Sequence, residues 1–141
     1  MENEKKKICW EYLDIGARAQ APIIQAELIV ANKREKYTFV VDTGYDGSLL
    51  IPYSIYKELE LKRYELPKNL WDVGETVSGE IIPLIASLCK VKIGNTVFET
   101  TVETFEGNKE FLAGISFLDK FITTLEGDTK RCCLQQCDIR S

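Results

Sequence analysis

The sequence contains no histidine. Serine or cysteine nucleophiles that depend on a histidine base are therefore excluded, and so are metal sites with imidazole ligands. Any acid–base chemistry in this chain must use carboxylates, lysine, tyrosine or cysteine.

The chain also lacks a long apolar run and a surplus of basic residues. No stretch approaches the roughly 18 residues of a membrane span, and Glu11 and Asp14 interrupt the segment that follows the lysines at 5–7. A formal net charge of −4 is poorly suited to neutralising phosphates. We therefore expect a soluble, cytoplasmic protein with no nucleic-acid partner and no membrane partner.

Five cysteines are present, and an odd number does not make a disulfide framework. Cys132, Cys133 and Cys137 cluster near the C-terminus without CxxC spacing, and no histidine can complete a common zinc set. We expect no metal ion and no cofactor. The cluster is interpreted as free thiols on a tail, with an intrachain or intermolecular disulfide as the alternative.

The apolar pattern predicts one domain made mainly of short strands. A chain of 141 residues with 45% apolar content can bury one sizeable core. Strands at 23–30 and 37–41 form a predicted hairpin, and a long strand over 81–93 reaches a second turn at Gly94-Asn95. Short helices are expected at 54–61 and 116–121. The same order of elements returns weakly in the second half, which points to an all-β, closed or nearly closed barrel.

The segment FVVDTGYDGSLLIP, residues 39–52, places a carboxylate directly after three apolar strand residues. A carboxylate at the end of a buried strand is costly unless it is paired, hydrogen-bonded or required for function. One interpretation of Asp42 is structural: an Asx turn in which the acid accepts backbone N–H bonds and Gly44 supplies a permissive backbone. The other interpretation is that the chemistry of the protein requires this acid.

Three segments of the sequence resemble the retropepsin-like aspartic proteases. VVDTGYDGSLLIP resembles the active-site segment of that family, and EFLAGISFLDKFITTLEG, residues 110–127, resembles its second element, in which apolar residues and a glycine lead into a short helix. Between them, WDVGETVSGEIIP is similar to the family's flap hairpin. The three segments follow the family's order and cover roughly residues 23–127.

The resemblance implies a retropepsin-type barrel with one or two short helices, and an aspartic endopeptidase that acts on a peptide or protein substrate. Members of the family supply one catalytic Asp per chain. A homodimer is therefore implied, with water activated between two Asp42 carboxylates. The implied organisation is an N-terminal extension at 1–21, a protease domain at 22–127 and a C-terminal tail at 128–141. The extension and the tail are candidates to add strands across the dimer interface.

Position by position, the resemblance implies roles around this site. Asp42 supplies the carboxylate, Thr43 hydrogen-bonds to the partner chain, and Gly44 lets a substrate backbone pass close by. Asp46 would bind substrate main-chain N–H groups, with a solvated loop acid as the alternative. The flap tip that closes over substrate would comprise Gly74, Glu75, Thr76 and Val77.

Two positions depart from the family pattern. Tyr45 stands where a small residue is common, and Ile115 stands where retroviral members have an arginine that pairs with the acid at the place of Asp46. The partners of Tyr45 and Asp46 are therefore left open, and retroviral dimer contacts are not carried over. The alternative function is an inert, protease-like module for dimerisation or peptide binding. A small-molecule or metal-dependent hydrolase has little support without histidine or a carboxylate cluster.

Overall fold

The computed structural model of the chain describes residues 6–16, 20–76 and 78–136. These residues form short strands, two short α-helices and two 3₁₀ helices, the latter at Leu61–Tyr64 and Lys68–Leu70. The α-helices are α1 (Tyr53–Glu58) and α2 (Ile115–Leu118). The strands are β1 (Lys7–Glu11), β2 (Leu13–Asp14), β3 (Gln20–Ala21), β4 (Ile23–Val30), β5 (Lys33–Val41), β6 (Leu49–Leu50), β7 (Val73–Glu75), β8 (Ile81–Pro83), β9 (Ile85–Ile93), β10 (Thr96–Thr104), β11 (Leu112–Ala113), β12 (Phe121–Glu126) and β13 (Arg131–Gln136).

A closed six-stranded barrel forms the centre of the molecule, with the order β10-β6-β11-β5-β4-β9. Two long antiparallel hairpins, β4–β5 and β9–β10, supply most of its wall. The two-residue strands β6 and β11 close it, because β6 runs parallel to β10 and β11 runs parallel to β5. The predicted closed all-β barrel with short helices is confirmed.

The core follows from the alternation of side chains along these strands. In β4 the buried positions recur at every second residue, and Phe39 of β5 is fully buried against them. The rings of Phe98, Phe117 and Phe121 lie 5.6–5.8 Å apart and join β10 to α2 and β12. The short helix α2 is thereby fixed against the barrel.

The prediction of one continuous strand over 81–93 is wrong. The segment forms two strands, β8 and β9, which are separated at the buried residue Leu84. Pro83 has no N–H for a continuing ladder, and the Leu84 N–H instead donates to the Asp72 carbonyl oxygen at 2.9 Å. This bond closes the base of a separate hairpin, β7–β8, while β9 continues into the barrel.

The two predicted helices are present but end earlier than expected. Helix α1 stops at Glu58, and Glu60 then adopts a left-handed conformation with φ of 57°, which no α-helix accommodates. Helix α2 ends at Leu118, because Phe121 already belongs to β12. No helix in the described part of the chain is long and apolar enough to cross a membrane.

The segments near the two termini meet in a second sheet with the order β1-β13-β12. Cys9 of β1 lies directly opposite Cys133 of β13, and a disulfide joins them. The interpretation of Cys133 as a free thiol on a tail is therefore wrong, and the alternative, an intrachain disulfide, is present. Cys132 is a free thiol inside the core, where burial raises its pKa to about 11. Cys137 lies outside the described residues.

We expect loss of this disulfide to lower the free energy of unfolding by about 2–5 kcal/mol. The bond links residues 124 positions apart, so it restricts most of the unfolded chain. Denaturant unfolding followed by tryptophan fluorescence, with and without reductant, measures the effect. A variant with both Cys9→Ser and Cys133→Ser should be insensitive to reductant. Identical midpoints for the oxidised and reduced wild-type protein would contradict the prediction.

Candidate active site

Asp42 lies where β5 leaves the barrel wall. Its N–H donates to the Ala113 carbonyl oxygen at 2.9 Å, so the residue continues the ladder between β5 and β11. Its Oδ1 accepts the Gly44 N–H at 2.9 Å. This bond forms the Asx turn that was the structural interpretation of Asp42 from the sequence. The side chain is half-buried, and Oδ2 has no hydrogen-bond partner within the described residues. One carboxylate oxygen is thus fixed by the turn, and the other is free for chemistry.

The loop after Asp42 is held by the beginning of α2. The N–H groups of Gly114, Ile115 and Ser116 donate in turn to the carbonyl oxygens of Ser48, Tyr45 and Gly47, at 2.8, 2.9 and 3.1 Å. The close contact between the start of α2 and this loop requires glycine at position 114, because a Cβ there would lie 2.5 Å from the Tyr45 carbonyl oxygen. The glycine in the second-half motif therefore supports the first-half loop.

Thr43 and Gly44 are exposed directly beside Asp42. The Thr43 side chain has no partner in the described ranges, so it can contact a second molecule. A Cβ at Gly44 would lie 3.2 Å from Asp42 Oδ1 and would crowd the carboxylate. The glycine thereby leaves an open path over Asp42.

Asp46 is exposed, and its carboxylate forms no ion pair or hydrogen bond to any residue that the structure describes. The place of a pairing cation is taken by Ile115, which is half-buried. The backbone of Asp46 is nevertheless fixed, because its carbonyl oxygen accepts the Ser116 hydroxyl at 2.6 Å. The loop thus presents an unpaired acid from a rigid backbone.

Tyr45 turns inward, and its hydroxyl donates a hydrogen bond to Oε1 of Glu103 on β10. Glu103 is only 3% exposed. Burial and the nearby Asp72 raise the pKa of Glu103, while the bond from Tyr45 lowers it. Burial and the adjacent Glu103 likewise raise the pKa of the Tyr45 phenol above its ordinary value. Sequence reasoning missed Glu103, because nothing in the sequence distinguishes it from Glu99, an exposed acid on the same strand.

The β7–β8 hairpin is in the position predicted for the flap, but its turn lies later than the predicted tip. Gly74 and Glu75 belong to β7, and Thr76 opens the turn by donating its N–H to the Glu80 carbonyl oxygen at 2.9 Å. Gly79 lies within the turn with φ of 90°, a conformation that favours glycine. Val77 lies outside the described residues.

The β7–β8 hairpin carries exposed apolar side chains on both of its strands. Val73, at the base of the hairpin, is 64% exposed, and Ile81, beside its turn, is 60% exposed. Asp72, which precedes β7, is close enough to raise the pKa of Glu103. The base of the β7–β8 hairpin therefore lies near Glu103 and Tyr45.

The chain contributes one acid at the end of a barrel strand to this site, Asp42. The corresponding second-half segment, Phe111 to Gly114, contains no acid, although β11 lies beside β5 in the barrel. Among the described residues, no group of three or more cysteine, aspartate or glutamate side chains is arranged to hold a metal ion. The chemistry that this site offers is that of a half-buried carboxylate with one free oxygen.

Comparison with known proteins identifies the fold as that of the retropepsin-like aspartic proteases. The structure matches that of a retropepsin-like aspartic protease from Rickettsia conorii with a TM-score of 0.61, over 94% of this chain and 92% of that chain, at 18% sequence identity. By sequence, the chain is 28% identical over 100 residues to an uncharacterised protein from Archaeoglobus fulgidus, covering 70% of this chain and 76% of the relative. No family model matches the sequence. The retropepsin-type barrel implied by the sequence resemblance is confirmed.

Proposed function

We propose that the protein is a homodimeric aspartic endopeptidase in which two Asp42 carboxylates, one from each chain, activate a water molecule. The observation that carries the proposal is the position of Asp42 within a retropepsin-like fold, half-buried, with Oδ1 held by Gly44 and Oδ2 free. Two carboxylates at such a site cannot both ionise, so the pair shares one proton, as is established for aspartic proteases. Such a site needs no histidine.

The two carboxylates have different roles in the proposed reaction. The ionised Asp42 takes a proton from water as the water oxygen attacks the scissile carbonyl carbon, while the protonated Asp42 donates its proton to the carbonyl oxygen. The Asp42 that took the proton from water then gives it to the amide nitrogen, while the other Asp42 takes a proton back from a hydroxyl of the tetrahedral intermediate. The C–N bond breaks and leaves a new carboxyl and a new amine. Thr43 of each chain would hold the two loops together across the dimer axis.

Substrate binding is proposed for the surfaces around Asp42. Gly44 leaves room for an extended peptide backbone, and the unpaired carboxylate of Asp46 can accept main-chain N–H groups of that peptide. The flap residues Gly74, Glu75 and Thr76, together with Val77, would cover the peptide and exclude water. The apolar surface of the flap hairpin supports this role.

The second candidate is an inert module that binds peptides or dimerises without hydrolysis. It is favoured by the Asx turn, which gives the carboxylate of Asp42 a structural role that needs no catalysis.

A cytoplasmic location also stays a prediction, and the Cys9–Cys133 disulfide requires surroundings that keep it oxidised.

A peptide-library cleavage assay separates the two functions. We expect hydrolysis products, with inhibition by the statine-type inhibitor pepstatin, because its hydroxyl group mimics the tetrahedral transition state. Chelators and reagents for serine or thiol nucleophiles should have no effect at the site. Complete loss of activity with a chelator, or a folded dimer that cleaves no peptide at acid or neutral pH, would contradict the proposal. Resistance to pepstatin alone would not, because its binding also depends on the shape of the cleft.

A further inference from the structure

We propose that Tyr45 and Glu103 form a positioning pair for Asp42, in which the buried carboxylate of Glu103 holds the Tyr45 phenol and so fixes the loop beside Asp42. The inference rests on the proposed function of Asp42. It goes beyond that function, because Tyr45 departs from the family pattern and Glu103 is not part of the resembling motifs.

Tyr45 is anchored at three points. Its N–H donates to the Asp42 carbonyl oxygen at 3.1 Å, and its own carbonyl oxygen accepts the Ile115 N–H at 2.9 Å. Its hydroxyl donates to Oε1 of Glu103. The three partners belong to the Asp42 turn, helix α2 and strand β10, so Tyr45 connects all three. A shift of Tyr45 would be transmitted to Asp42 through their direct hydrogen bond.

Two glycines leave the space that the Tyr45 side chain occupies. A Cβ at Gly47 would lie 2.6 Å from Oε1 of Glu103 and 2.5 Å from Cζ of Tyr45. A Cβ at Gly114 would lie 2.6 Å from Cδ2 of the Tyr45 ring. Neither position accepts a larger residue unless Tyr45 moves. The ring therefore fills a defined slot, which a small residue at position 45 would leave empty.

Glu103 is a buried acid whose side chain forms no ion pair with any residue that the structure describes. The residues opposite it on the adjacent strands, Leu50 of β6 and Ala86 of β9, are both buried. The groups that act on its carboxylate are Tyr45 and Asp72, and neither is a cation. A buried acid of this kind is unfavourable unless its hydrogen bond is used. Fixing Tyr45 beside the Asp42 turn is a use that the geometry supports.

The pair also gives the site a dependence on pH. Because the pKa of Glu103 in the folded protein is raised above its ordinary value of 4.5, the protonated carboxyl contributes stability that is fully present below pH 4.5 and is lost as the pH rises through the raised pKa. The charge formed faces the Tyr45 hydroxyl and the carboxylate of Asp72 at the flap base. Glu103→Gln cannot ionise, so its stability relative to wild type should improve as the pH rises.

The chain offers a matched control for Tyr45→Phe. Tyr56 on α1 makes the same kind of bond, from its hydroxyl to Oε2 of Glu65 at 3.1 Å, and takes no part in the Asp42 loop. Tyr45→Phe should lower kcat by roughly 10- to 100-fold with little change in KM, because a small misplacement of a reacting group is sufficient for such a loss. Tyr56→Phe should leave both parameters near wild type. Both are measured on a peptide from the library assay.

A second readout does not depend on turnover. The carboxyl ¹³C signal of Asp42, assigned by its loss in Asp42→Asn, is titrated with pH by NMR in the wild-type protein and in both tyrosine variants. We expect Tyr45→Phe to shift the Asp42 titration and Tyr56→Phe to leave it unchanged. If the wild-type protein cleaves nothing, the proposed function fails, and this titration still decides whether the pair positions Asp42.

Variants at Glu103 complete the test. Glu103→Gln keeps an acceptor oxygen for the Tyr45 hydroxyl and should retain much more activity than Glu103→Leu, which removes it. Full kcat together with a wild-type Asp42 titration in Tyr45→Phe would overturn the proposal. The folded fraction of each variant is measured by circular dichroism. If Tyr45→Phe and Tyr56→Phe lose the same activity, and each loss equals the loss of folded protein, the proposal is also overturned.

Discussion

Asp42→Asn should abolish peptide cleavage and leave the protein folded. The amide keeps the shape of the side chain, and its oxygen can still accept the Gly44 N–H that forms the turn. It cannot take a proton from water, so the general-base contribution of about 10²–10⁴-fold is lost, together with the shared proton of the pair. The measurement is kcat/KM on a library-derived peptide, with thermal unfolding to confirm the fold.

Asp14→Asn is the matched control for this substitution. Asp14-Ile15-Gly16 repeats the Asp-x-Gly pattern, and the Gly16 N–H lies 3.4 Å from Asp14 Oδ1, as in a looser form of the Asp42 turn. Its activity should equal that of the wild-type protein. Full activity in Asp42→Asn would end the proteolytic interpretation. An equal loss in Asp14→Asn would show that the effect does not depend on the position of Asp42.

The barrel was predictable because its signals are local. The alternating burial of β4 and the turn at Gly94-Asn95 follow directly from residue type and spacing. The Asp-Thr-Gly segment was equally visible, since an acid after apolar strand residues is unusual. The place of Asp42 at the end of β5 follows from the same pattern.

The parts that could not be predicted depend on contacts between distant segments. Glu99 and Glu103 lie on one strand, and the second is buried through contacts with β6 and with Tyr45, which are distant in the sequence. The Cys9–Cys133 disulfide joins segments 124 positions apart, and cysteine spacing alone does not fix connectivity. Pro83 was a local signal for the end of β8, but the apolar residues on both sides of it made the segment look like one continuous strand.

The active species is expected to be a symmetric homodimer whose specific activity falls on dilution. One chain supplies one Asp42, so a shared pair requires two chains that meet on a two-fold axis. A net charge of −4 per chain gives only weak repulsion, which salt screens. Sedimentation over a concentration series, run beside the cleavage assay, measures both quantities. A monomer with full specific activity would mean that the site is not shared.

The terminal segments limit how such a dimer can form. Strand β1 is already paired with β13 of its own chain and linked to it by Cys9–Cys133, so the N-terminal strand is not free to exchange while the disulfide is intact. The other edge of this sheet is β12, whose residues Ile122 and Leu125 are 53% and 50% exposed. Strand exchange of the retroviral kind is therefore not expected of the oxidised protein.

Mixing chains tests the shared pair most directly. When wild-type chains exchange with a ninefold excess of Asp42→Asn chains, most wild-type chains enter heterodimers with a single Asp42. Activity per wild-type chain should then fall about tenfold if subunits pair at random. The same excess of Asp14→Asn chains should cause no loss per chain, because those heterodimers keep two Asp42 carboxylates. Undiminished activity in the Asp42→Asn mixture, after exchange has been verified by sedimentation of differently labelled chains, would require each chain to act alone.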